Sequence, residues 1–168
     1  MRKVIVLKEV QKSDYSFLYE LLSERKLYEN ISHKKNPTYA KHIKFVMSKP
    51  YTKWYIIYYG KEKIGSIYIT KQDEVGIHFK EQLQANLKPK SALWLQVLKI
   101  MMKKNPRNRY LVNINPSNTG MKNFLKNAGF ELIQYTYEVP KRINRGWKVI
   151  KPTIRSRKFF FFKYDYNN

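Results

Sequence analysis

Residues 113–132 read NINPSNTGMKNFLKNAGFEL and follow RYLV at 109–112. RYLVNIN (109–115) is rich in β-branched and aromatic residues and reads as a strand. Pro116 then starts a short helix running to Ala128, because its fixed φ suits a first turn and its missing N–H costs nothing there. Gly129 stops that helix, since glycine enters positive φ without a Cβ penalty. FELIQYTYEV (130–139) resumes as a last strand. The segment is therefore strand, helix, strand.

Upstream, SALWLQVLKIMMKK (91–104) puts Leu93, Val97, Ile100 and Met101 on one face of a long helix, with Pro89 suited to its first turn. Before it come WYIIYY (54–59), KIGSIYIT (63–70) and VGIHF (75–79), which read as three antiparallel strands, the first two joined by a tight turn at Gly60. At the N-terminus KVIVLKE (3–9) is a strand. Ser13 then caps a helix carrying Phe17, Leu18, Leu21 and Leu22 and ending near Lys26. Asn36 with Pro37 opens a second helix, with Ile43, Val46 and Met47 on its apolar side, which Pro50 stops. The order is β α α β β β α β α β, an α+β protein in three layers with a mixed central sheet.

The chain has 168 residues, about one domain, and 43% of them are hydrophobic, enough for a packed core. Its 34 Lys and Arg against 12 Asp and Glu give a net charge of +22, a field that attracts polyanions, nucleic acid first and an anionic membrane surface second. With no cysteine, a disulfide framework, a thiolate nucleophile and a Cys-bearing metal site are excluded. His33, His42 and His78 lie at unrelated spacings, so no metal is expected. The apolar run at 4–7 is too short for a signal peptide, and no stretch is long enough to span a bilayer. A cytoplasmic or equivalent reducing compartment is the default.

The order of elements, and NINPSNTGMKNFLKNAGFEL above all, resembles the GCN5-related N-acetyltransferases over residues 3–138. Residues 1–138 would form that domain, and 139–168 a basic, aromatic-rich extension. The resemblance implies a cleft between splayed strands four and five that binds acetyl-CoA, and acetyl transfer to an amine. It also implies a pyrophosphate loop of Gln or Arg, two residues, Gly, one residue, then Gly or Ala, at the N-terminus of the long helix. An ungapped match places that loop at 84–89. Gln84 fits its first position, while Leu87 and Pro89 stand where the glycines would.

A branched side chain at Leu87 resists close approach of the backbone, and Pro89 removes an N–H donor. Losing one charge-assisted hydrogen bond costs about 1.5–3 kcal/mol, a weakening of about ten- to a hundredfold. Lys88 and Lys90 offset this by direct charge, and the segment also reads simply as a basic approach to a helix. By the same resemblance Asn118 would hydrogen-bond near the pantetheine arm, and the tyrosine that protonates the departing thiolate would fall on Leu125, which cannot donate a proton. Glu74, opening the fourth strand, is the candidate general base; with Asp73 it also reads as part of the preceding turn. His78 reads as a packed core histidine.

Residues 139–168 hold nine Lys or Arg against one Asp. Arg142, Arg145, Trp147, Lys148, Arg155, Arg157 and Lys158 combine phosphate-matching forks with flat rings and form a candidate nucleic-acid surface. The alternative for FFFFKYDY (159–166) is an added strand packed on the sheet. Two functions follow. One is a weakly catalytic or non-catalytic module with a degraded acetyl-CoA loop, associated with nucleic acid, RNA favoured, or with a ribonucleoprotein. The other is an active acetyl-CoA-dependent N-acetyltransferase acting on a nucleic-acid-bound or anionic substrate such as an aminoacyl-tRNA or a ribosomal protein.

Overall fold

A computed structural model describes residues 4–26, 36–81 and 90–137. The chain divides into two compact units, Met1–Glu131 and Leu132–Asn168. In the first, β1 (Ile5–Glu9), α1 (Tyr15–Ser23), α2 (Tyr39–Met47), β2 (Lys53–Tyr59), β3 (Glu62–Ile69), β4 (Val75–Phe79), α3 (Lys90–Lys104) and α4 (Thr119–Asn127) follow in order. The four strands form one antiparallel sheet in sequence order. Of the second unit, residues 132–137 are described, with no regular structure and with Leu132, Ile133, Tyr135 and Tyr137 exposed.

Strand alternation gives the sheet two buried faces. Tyr55, Ile57, Ile67, Ile69, Val75 and Phe79 pack against Leu93, Trp94, Val97, Leu98 and Met101 of α3 and Leu125 of α4. On the other face Ile56, with Trp54 and Tyr58, meets Phe17, Leu18 and Leu21 of α1 and Val46 of α2. This is the three-layer α+β arrangement read from the sequence. A register shift at Ile57/Tyr58 leaves Ile64 without a partner on β2, and the extra residue returns Ile64 to the α3 face. Gly60 makes the β2–β3 turn at φ 64°.

Several boundaries differ from the sequence reading, for local reasons. Ser13 does not cap α1: it lies in a 3-10 turn, Lys12–Asp14. α1 has no side-chain cap: Asp14, at its N-terminus, is buried and turned back to close the 3-10 turn, accepting the Gln11 N–H at 2.8 Å and pairing with Lys63 at 2.7 Å. α2 is capped by Thr38, whose Oγ1 accepts the Lys41 N–H, not by Asn36. On α2 the inward residues are His42 and Val46, while Met47 is exposed. Here the four-residue spacing prevails over hydrophobicity, because His42 sits one turn before Val46.

The two C-terminal strands are reduced. Within 109–115, only Leu111 pairs with the sheet, in a parallel bridge to Glu74. Residues 130–137 form no strand. The helix between them is present: Asn118 caps α4, its Oδ1 accepting the Met121 N–H at 3.0 Å, and Gly129 ends it at φ 83°.

Candidate active site

The site is a cavity of about 460 Å³ between the sheet and the α1–α2 layer. Its floor is a cross-strand row, Trp54 on β2, Tyr68 on β3 and Gly76 on β4, which are register partners. Gly76 is needed there: a Cβ at that position would overlap the end of the Tyr68 ring. With nothing in the way, Tyr68 lies across β4 and stacks on Tyr51, ring centroids 3.9 Å apart and planes 6° from parallel. Trp54 meets Tyr51 edge-on at 4.8 Å, and Phe45 of α2 closes the aromatic wall. Leu18, Leu21 and Leu22 of α1 complete an apolar roof.

Glu74 lines this cavity. The turn before β4 fixes it. Asp73 takes φ 61°, and Thr70 Oγ1 accepts the N–H groups of Gln72 and Glu74 at 3.2 and 3.1 Å. The same Thr70 hydroxyl donates to Glu74 Oε2 at 3.0 Å, and Asn113 Nδ2 donates to Glu74 Oε1 at 2.7 Å. Asp73 thus makes the turn, and Glu74 presents a carboxylate oriented by two donors, each oxygen keeping a lone pair for a proton.

Beside Glu74 the sheet opens. Val75 N–H donates to Leu111 O at 2.7 Å and Leu111 N–H to Asp73 O at 2.9 Å. The pairing of 109–115 with β4 consists of this one bridge. By alternation the N–H and C=O of Ile77 point along the same edge of β4 as those of Val75. An edge of that kind takes an amide-bearing chain by strand-like pairing. The splay expected between strands four and five is thus an antiparallel sheet whose last member is pinned at one point.

Three polar atoms around the cavity are buried with no hydrogen-bond partner among the described residues: Arg25 Nε, His42 Nε2 and Trp54 Nε1. Such a group, where it is left unsatisfied, costs about 1–3 kcal/mol. Burial, and then the charge of Arg25, hold the His42 pKa below its usual 6.5. Burial, with the stacked Tyr68 adding to it, pushes the Tyr51 phenol well above its usual range.

The structure brings one residue from the sequence reading, Glu74, into the cavity. Asn118 is accounted for as the cap of α4, and Leu125 is buried in the α3-side core. His78 is half-buried on β4. Gln84, Leu87 and Lys88 lie outside the described residues; Lys90 is the first residue of α3. Arg142, Arg145, Trp147, Lys148, Arg155, Arg157 and Lys158 also lie outside them. The sequence reading missed Arg25, His42, Tyr51, Trp54, Thr70 and Asn113. Gly76 inside a strand was the available signal, because an interior glycine marks close approach of another group.

No family model matches the chain, and no curated protein does. Solved structures do. A domain from Methanocaldococcus jannaschii superposes with a TM-score of 0.64 at 18% identity, over 81% of this chain and 94% of that one. RimL, a ribosomal alpha-N-protein acetyltransferase in complex with coenzyme A, gives 0.58 at 16% identity, over 77% and 81%. Spermidine N-acetyltransferase from Vibrio cholerae, with CoA and spermine, gives 0.58 at 12% identity, over 74% and 79%. The chain has the fold of the GCN5-related N-acetyltransferases.

Proposed function

We propose that the protein transfers an acetyl group from acetyl-CoA to an amine held in the cavity beneath α1 and α2. The observation that carries this reading is Glu74, a carboxylate held by Thr70 and Asn113 at the point where the sheet opens. Acetyl-CoA supplies, when bound, an activated acyl carbon. The open edge of β4 at Ile77 suits its amide-bearing arm, and Gln84, Lys88 and Lys90 are the residues the sequence offers to its phosphates. Glu74 takes the proton that the amine must lose, directly or through one water. The leucines of α1 and the aromatic wall give the amine's apolar substituent a surface to pack on.

The test is release of CoA thiol from acetyl-CoA with a panel of amines. Turnover should appear with the native chain and fall at least about a hundredfold in Glu74→Gln, while the circular dichroism spectrum is unchanged. No thiol release with any amine would instead favour the weakly or non-catalytic module that Leu87 and Pro89 suggest.

The net charge of +22 favours a second property, association with nucleic acid, RNA first. Arg142, Arg145, Trp147, Lys148, Arg155, Arg157 and Lys158 would supply the contacts, compatible with a ribonucleoprotein setting or with a tRNA-borne or ribosomal acceptor. Fluorescence anisotropy with labelled RNA should give an affinity that falls steeply with salt and drops when the six basic residues among these are neutralised. Binding independent of salt would refute it.

A further inference from the structure

We infer that the acceptor is an amine joined through a flat apolar body to an anionic or hydrogen-bond-accepting group, bound with the amine at Glu74 and the accepting group toward Arg25, His42 and Trp54. The placement of the amine rests on the acetyl-transfer reading; the rest follows from the cavity. Arg25, His42 and Trp54 line it, and their Nε, Nε2 and Nε1 atoms are buried without partners among the described residues. Two of the three are fixed donors, Arg and Trp having no acceptor on those atoms. His42 is 5% exposed, so water does not serve it from outside. A ligand oxygen placed among them supplies an acceptor that the described residues do not.

The middle of the ligand is set by the walls. Tyr51 and Tyr68 present a stacked pair, with Trp54 and Phe45 edge-on around it, opposite the α1 leucines. Such surfaces take a ring or another flat apolar group. Charge then separates this acceptor from a polyamine. Among the described residues, Arg25 and Lys41 line the cavity against one carboxylate, Glu74, so a second ammonium would meet cations where it needs an anion. This chain would therefore differ in acceptor from the neighbour crystallised with spermine.

Calorimetric titration of the full chain without acetyl-CoA tests the idea with four probes. Para-(aminomethyl)benzoate and tyramine O-phosphate carry amine, ring and anion; benzylamine lacks the anion; spermidine lacks both ring and anion. The two anionic probes should bind about ten- to a hundredfold more tightly than benzylamine, with spermidine weakest. The tighter of the two tells whether the natural group is a carboxylate or a phosphate. Arg25→Leu should erase most of that advantage and leave benzylamine affinity within about threefold, which also shows that the variant is folded; His42→Phe should reduce the advantage by a smaller factor. Equal binding of benzylamine and the anionic probes, tighter binding of spermidine, or no binding of any probe would overturn the inference. Because no acetyl donor is present, intact discrimination without turnover would sink the transfer reading alone.

Discussion

The floor of the cavity can be tested through Gly76. Its φ is not positive, so alanine is allowed by the backbone there, and in an open strand the exchange would gain about 0.4–1 kcal/mol from a less flexible unfolded chain. Here the new methyl would overlap the end of the Tyr68 ring. That ring has to swing away, giving up the 3.9 Å stack on Tyr51 and the edge contact with Trp54 at 6.4 Å. Two aromatic pairs at about 0.5–1.5 kcal/mol each amount to about 1–3 kcal/mol, which outweighs the backbone gain. Gly76→Ala should therefore destabilise by about 1–2 kcal/mol in urea unfolding. In a Tyr68→Ala background the obstacle is gone, so the same exchange should become neutral or slightly stabilising. A coupling below about 0.5 kcal/mol in this double-mutant cycle would refute the packing argument.

Further outcomes can be measured in the same way. Tyr55 is 1% exposed and its hydroxyl donates to Asn105 Oδ1 at 2.9 Å; Tyr55→Phe strands that oxygen and should cost about 1–3 kcal/mol in urea unfolding. Asn118→Ala removes the α4 cap and should cost about 1 kcal/mol in the same assay. His42 has a folded-state pKa below 6.5, so the unfolded chain takes up its proton first: stability is full above pH 6.5 and is lost as pH falls through the folded value. Arg25 and the Tyr19 ring face it. Thermal unfolding below pH 6.5 should thus show a shallower pH dependence in His42→Gln than in the native chain.

Elements specified by their own residues could be read from the sequence. β2, β3 and β4 are short β-branched or aromatic runs with a glycine turn between the first two, and α3 has a fifteen-residue amphipathic pattern. The capping residues were harder, because Ser13, Asn36 and Thr38 are all competent and tertiary contacts choose among them; Asp14 wins its place through Lys63, far along the chain. The reduced strand at 109–115 has good local propensity, yet a single bridge pins it, which no local pattern encodes. The place of Glu74, opening the fourth strand, was legible in the sequence, while a role as base came from the resemblance alone. The partners of Glu74 were not legible: Thr70 is local, but Asn113 arrives from another element, and the cavity is assembled from α1, α2 and three strands. Arg25 and Trp54 belong to it only because the layers bring them together.

The sheet's sequential order also sets how it assembles. β2, β3 and β4 close by short connections, so their pairing costs little chain entropy and can form within microseconds as a hairpin and then a meander. β1 is made first yet joins only β2, from which α1 and α2 separate it, pairing 5–9 with 55–59. During synthesis the opening segment must therefore wait, unpaired, until most of two helices and a strand have followed it out of the ribosome. Val4, just before it, and Val6, within it, are still exposed once it has docked. The first strand of the sheet is thus open to capture by another molecule before the fold is complete.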